Sequence, residues 1–315
     1  MQNNLPTWTK NAMLVAVLLL AALFSFRDIY SPDIGFHLQA GCWITEHAAF
    51  PGLDTFTHAA AENSYIDLNW LWQLLLYSCW KAGGSLGLVL FNSVLITGAL
   101  LLLVKRAEGS HPAAFPWLLL LAVIALSASF EIRPHSLSWL LLGLVLRQLE
   151  LFYHGKEKAI RWVPALMLVW VNSHSLFVLG LIVMACFAVS VCLRQKHLIR
   201  PFLLYSSLSV LACLLNPYGW RAFLLPAEQF EVFGSGSIFR PYITEFQSPF
   251  HAAQYSGGFS QIVFRTWHYF HLFTALVLFL YLVRWRKYAL HEWLIGLVFS
   301  WLAWSMQKNT GYFIF

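Results

Sequence analysis

The sequence predicts an all-α polytopic membrane protein of about nine transmembrane helices, and three observations carry that reading. Of its 315 residues 59% are hydrophobic, and several uncharged runs approach or exceed the roughly 20 residues a helix needs to cross a bilayer core. The runs are continuous rather than alternating in polarity, which argues against a membrane β-barrel. Lys and Arg fall in short clusters between the runs, the distribution that sets membrane orientation. The formal charge of +6 therefore does not point to nucleic acid: there is no long basic tract and no basic face interleaved with aromatics. The five Cys show neither CxxC nor Cys/His spacing and read as small apolar packers.

In chain order, Asn11 to Phe26 is an uncharged first helix between Lys10 and Arg27, read as uncleaved and running outward from a cytoplasmic N-terminus. A first outer loop, 27–69, follows. Pro32-Asp33 precedes an expected helix from about Ile34 to His47, and Trp70 to Trp80 reads as an interfacial helix broken at Gly83-Gly84. Leu86 to Val104 returns to Lys105-Arg106, Phe115 to Phe130 leads out to Glu131-Ile-Arg-Pro-His135, and about 137–153 leads back to Lys156, Lys158 and Arg161. Trp162 to Leu193 then holds no charged residue for 32 positions. Basic clusters at both its ends require an even number of crossings, so two helices are predicted to meet at Asn172-Ser-His-Ser175. Pro201 to Leu215 leads to a second outer segment, 216–267, with a Gly-Ser-Gly-Ser hinge at 234–237. Trp267 to Val283 and about 291–306 complete nine crossings in one transmembrane domain covering 1–315. The inner loops then hold 11 basic residues. The apolar ending at Phe315 reads as that of a truncated or split longer protein.

The 27–69 loop holds six of the 14 acidic residues: Asp28, Asp33, Glu46, Asp54, Glu62 and Asp67. More broadly, Asp28, Asp33, His37, Glu131, Arg133, His135, His174, Asn216, Arg240 and Glu245 all fall at or beyond outer helix ends, the pattern of an outward cavity lined with ionisable groups. Asp33 reads either as a surface turn residue or helix N-cap, or as a carboxylate close to the membrane surface, placed to take a proton from a hydroxyl or to hold a metal. Arg133 reads either as the partner of Glu131 or as a bidentate phosphate ligand, with Pro134 fixing extended backbone before it. His37 and His174 read as interface histidines or as site residues. Glu245 and Arg240 read as solvated loop charges or as substrate contacts.

The run Pro32-Asp-x-Gly-Phe-His-Leu, Phe50-Pro-x-x-Asp-Thr-Phe-Thr-His58 and Asn69-Trp-Leu-Trp-Gln73 resembles the first outer loop of bacterial GT-C-fold membrane glycosyltransferase-like proteins. Glu131-x-Arg-Pro-His135, Trp170-x-Asn-x-His174, Asn216-Pro-Tyr-Gly-Trp220 and Ile243-x-Glu-Phe-x-Ser-Pro249 continue the likeness. It implies an inverting transferase in the bacterial inner membrane, with an active face outside and a polyprenyl-phosphate-linked sugar as donor. Asp33 and Glu131 then match the family's acidic residues. Asp28, His37, Arg133, His135, His174, Arg240 and Glu245 would contact the donor phosphate or substrate. A divalent cation, Mg or Mn, would take Asp33 and Glu131 as ligands, although nothing in the sequence fixes metal dependence. Two rival readings stay open: a transporter or flippase-like carrier of a lipid-linked or anionic solute, and a non-catalytic subunit that needs a partner membrane protein.

Overall fold

The computed structural model describes residues 6–58, 61, 63–106, 114–232, 238, 240, 242–249 and 266–314. Among them the regular structure is helical, and the only bridge is the isolated pair Leu53–Ser64. The principal helices are α1 (Thr7–Ser25), α2 (Ile34–His47), α3 (Trp70–Arg106), α4 (Phe115–Leu126), α5 (His135–Tyr153) and α6 (Val163–Val171). They are followed by α7 (Val178–Arg194), α8 (Ile199–Ala212), α9 (Arg221–Val232), α10 (Thr266–Val283) and α11 (Leu290–Ser305). The chain divides into two compact units, one of residues 1–25, 96–130 and 231–315, the other of 26–95 and 131–230.

Among the described residues four stretches are long and apolar enough to cross a membrane: α1, α3, α5 and Ser175–Arg194, while Phe115–Ser129 and His268–Val283 are shorter apolar helices. Large apolar side chains also face outward, among them Leu19 and Leu23 on α1, Leu203, Leu204 and Leu211 on α8, and Phe279 and Leu282 on α10. That surface would be costly in water and costs nothing against lipid tails. The chain is an α-helical membrane protein.

Local sequence sets the helix ends and breaks. Gly84, at φ +57°, kinks α3 at the predicted break, because a residue with a Cβ resists that left-handed conformation. Beyond the kink the two arms run so close that a Cβ on Gly87 would strike the Cys79 carbonyl. Between α6 and α7 the backbone turns at Asn172–Phe177, where two helices were expected to meet.

In the second unit α6 packs on α5 and α8, and α7 packs on the same two helices. Trp139, Trp170, Phe152, Phe177, Phe187 and Met167 fill the core between them. A Cβ on Gly180 would lie 2.6 Å from the Met167 sulfur, so glycine there sets the α6–α7 spacing. A Cβ on Gly41 would come within 2.8 Å of Tyr77 Cβ and would also meet the Gln73 carbonyl, so glycine lets α2 lie directly on α3. In the first unit α4 packs against α1 and α10, and Phe270 and Phe273 each sit 6.3 Å, edge to face, from Phe313.

Candidate functional site

In the second unit a group of polar side chains comes together where the 27–33 segment, the start of α2, the start of α3 and the Glu131–His135 segment meet. Asp33 occupies the N-cap position of α2, yet its side chain makes no capping hydrogen bond. Instead its Oδ2 lies 3.3 Å from Arg133 Nη2, a residue one hundred positions further along the chain. The same guanidinium holds Glu131 through Nε at 3.2 Å, and Nε also approaches Ser31 Oγ at 3.4 Å. Asp33 keeps 52% of its side chain exposed, against 33% for Glu131 and 21% for Arg133. The outermost member of the trio is thus Asp33. Burial works against the charge of Arg27, and Glu131 supports it.

One turn into α2, His37 is buried, with its backbone N–H on the Asp33 carbonyl at 3.0 Å. Burial pushes its pKa below the ordinary histidine value. Asp67 and Asp33 oppose that shift and Arg133 adds to it. Beneath it runs a hydrogen-bonded network. Gln73 Nε2 lies 3.4 Å from His37 Nδ1 and donates to Asp67 Oδ2 at 2.5 Å. The Tyr65 hydroxyl donates to that same oxygen at 3.0 Å, and the Asn69 backbone N–H donates to Asp67 Oδ1 at 2.8 Å. Asp67 is 7% exposed. Burial and the neighbouring Asp67 charge together raise the Tyr65 hydroxyl pKa far above its usual value. Burial raises Tyr218 as well.

A second knot ties the helix ends together. Asn172 Oδ1 accepts from Trp70 Nε1 at 2.9 Å, its Nδ2 donates to the Leu168 and Leu215 carbonyls, and its carbonyl accepts from the Leu71 N–H. Ser138 Oγ accepts from Trp170 Nε1 at 2.9 Å and lies 2.7 Å from His174 Nδ1. His135 packs on Trp139 with ring centroids 4.6 Å apart. Asn216 closes the Asn-Pro-Tyr-Gly turn, accepting from Tyr218 N–H and donating to the Cys213 and Gly219 carbonyls, with Gly219 at φ +55°.

Among the expected site residues, Asp33, Glu131, Arg133 and His37 are therefore drawn together. Asp28 is exposed and accepts from the Tyr30 hydroxyl at 3.3 Å. His135 and His174 lie along the same α5–α6 end. Arg240 and Glu245 belong to the other unit, where Arg240 Nη2 donates to the Ser305 carbonyl at 2.8 Å. Glu245 there supports the charge of Lys308, whose ammonium sits 4.3 Å over the Phe246 ring. Surrounding protein lowers Lys308 to about 8 although its side chain retains open surface. The Gly-Ser-Gly-Ser hinge at 234–237 and Glu62 lie outside the described residues.

Ser31, Tyr65, Gln73 and Ser138 were not expected to be site residues, and Asp67 and Asn172 entered only as members of an acidic loop and a motif. The only sequence signal for Asp67 is its spacing before α3: a carboxylate two residues ahead of Asn69 can hold that backbone amide at a helix entrance.

The donor set does not fit a divalent cation. Asp33 and Glu131 are joined through a guanidinium, and among the described residues no three His, Cys, Asp or Glu side chains converge. No protein-family model, curated protein or solved structure matches the chain.

Proposed function

We propose that the chain is a GT-C-type membrane glycosyltransferase that moves a sugar from a polyprenyl-phosphate-linked donor to a hydroxyl acceptor, with inversion at the anomeric carbon. The observation that carries this reading is Asp33: an exposed carboxylate at a helix N-cap that does no capping and is held by Arg133 across one hundred residues. The ordered motif series supports it from the sequence side. In this account the protein crosses a bacterial inner membrane nine times, with its N-terminus in the cytoplasm and the Asp33 face outside. Helix α6 has only nine residues, but with the six-residue 3-10 segment before it the pair rises about 26 Å, near the thickness of a bilayer core. Similar sums apply to α8 and its preceding 3-10 turn.

The chemistry follows from the ion pairs. Asp33, the half-exposed member of its pair, is cheap to release, because solvent already screens its carboxylate. An incoming donor phosphate takes the Arg133 guanidinium in a bidentate contact and releases Asp33. The freed carboxylate accepts the proton of the acceptor hydroxyl as its oxygen bonds to the anomeric carbon, and the bond from that carbon to the phosphate oxygen breaks. The electron pair leaves on the polyprenyl phosphate, where Arg133, His135 and His174 stabilise the charge. Arg240 and Glu245 enter no step, and no step uses a metal.

One observation favours a second reading. Arg133 already has two carboxylates, which is also how an internal ion-pair lock in a non-catalytic subunit would look. Binding separates the two. Purified protein should bind a polyprenyl phosphate saturably, and Arg133→Ala should weaken that binding roughly 10- to 100-fold, the worth of a charge-assisted contact. Undiminished binding by Arg133→Ala, or none by folded wild type, would leave the lock reading in its place.

A further inference from the structure

The strongest unassigned feature of the second unit lies at the other end of α5. The helix has 19 residues, so its last turn is about 28 Å from His135. There an open cavity of about 580 Å³ is lined by Gln148, Gly155, Lys156, Glu157, Lys158 and Trp162.

Backbone contacts build this cavity. Gly155 adopts φ +93°, which turns the chain sharply off the helix. The turn satisfies the carbonyls that α5 leaves open: His154 N–H reaches Glu150, Gly155 N–H reaches Phe152 and Lys156 N–H reaches Leu151. The 3-10 segment Glu157–Trp162 then packs against α5, α6 and α8. Gln148, Lys156, Glu157 and Lys158 make no side-chain hydrogen bond or ion pair among the described residues. Three charged groups therefore border a concavity without partners among the described residues, at the end of a helix long and apolar enough to cross a membrane. Trp162 stands 66% exposed at the rim, and exposed Trp at a helix end is the mark of the headgroup level of a bilayer.

We infer that this cavity seats the headgroup of an anionic membrane phospholipid, its phosphate between Lys156 and Lys158 and its acyl chains beside Trp162. Two ammonium groups and one carboxylate give the lining a net charge of +1, which complements a monoanionic phosphodiester. A lipid rather than a soluble anion is the fitting occupant, because the rim offers an exposed Trp ring of the kind favoured at headgroup level as well as cations. Glu157 opposes the phosphate and so limits the affinity. The assignment does not depend on sugar transfer elsewhere in the protein.

Native mass spectrometry on the full chain in uncharged detergent tests it, with short-chain phosphatidylglycerol, the matching phosphatidylcholine and inorganic phosphate as probes. Phosphatidylglycerol should bind saturably and more tightly than phosphatidylcholine, and inorganic phosphate at the same concentration should not displace it. Lys156→Gln with Lys158→Gln should weaken phosphatidylglycerol roughly 10- to 30-fold. The unfolding midpoint without lipid should stay unchanged, since neither side chain has a partner to lose among the described residues. Glu157→Gln should tighten binding severalfold and gives a second readout if the double variant misfolds. Unchanged affinity in the lysine variant, tightening absent in Glu157→Gln, or no preference over phosphatidylcholine would each overturn the inference. Displacement by inorganic phosphate would make this a soluble-anion site and would equally overturn the lipid.

Discussion

Asp33→Asn is expected to lower sugar transfer by about 10²- to 10⁴-fold, the usual contribution of a positioned general base, while the protein stays folded. The isosteric amide keeps the shape of the α2 entrance but cannot take a proton. The fold is insensitive because Asp33 is half exposed and does not cap its helix, and Glu131 remains to pair with the more buried Arg133 guanidinium. The loss should fall on kcat with little change in KM, because Arg133 still holds the donor phosphate. Glu131→Gln removes the second carboxylate that fixes the guanidinium, and transfer should fall with it. A transfer assay in proteoliposomes, paired with thermal unfolding of each variant, checks both statements. Transfer at the wild-type rate by both variants would remove Asp33 and Glu131 from the chemistry.

The largest stability effect is expected at Asp67. Its two oxygens accept from the Tyr65 hydroxyl, the Gln73 amide and the Asn69 backbone N–H, and the side chain is buried. Asp67→Ala leaves these donors facing a void without an acceptor. Each unsatisfied buried donor costs about 1–3 kcal/mol, and partial rehydration of the half-buried Tyr65 returns some of it, so a net loss of about 2–4 kcal/mol is expected. Asp67→Asn keeps one acceptor oxygen and should fall between the two. Thermal unfolding in detergent measures the series. A loss under about 0.5 kcal/mol for the alanine variant would mean that the network contributes little to the fold. The consequence reaches the site, because Gln73 joins Asp67 to His37 and His37 lies one turn from Asp33.

Much of the scaffold was legible in the sequence, for physical reasons. Helix α2 runs over Ile34–His47 as expected, because Pro32-Asp33 sets its start. Gly83-Gly84 marked the kink, since only glycine takes Gly84's φ without strain. The meeting of α6 and α7 at Asn172–Ser175 followed from counting crossings between basic clusters. Among the described residues four helices reach spanning length, against nine crossings expected; Phe115–Ser129 and His268–Val283 are apolar but shorter, because a run of apolar residues in sequence does not show where its helix starts and stops.

The site was legible only as a list of residue types near helix ends. That Arg133 reaches past Glu131 to Asp33 is a tertiary fact that spacing cannot supply. Asp67 looked like one acid among six in a polar loop, yet it is buried under Tyr65 and Gln73. Arg240 and Glu245 were grouped with Asp33 because both outer segments were expected on one face. They belong to a different compact unit and are engaged there with Ser305 and Lys308.

In the proposed function the Asp33–Arg133–Glu131 cluster faces a lipid-linked phosphate. Photo-crosslinking tests it most directly, with a polyprenyl phosphate that carries a diazirine beside its phosphate and peptide mapping of the adducts. The account predicts adducts confined to the Arg27–His37 and Glu131–Trp139 segments, suppressed by excess unlabelled lipid and lost in Arg133→Ala. Adducts that map elsewhere, or that persist unchanged in Arg133→Ala, would contradict it.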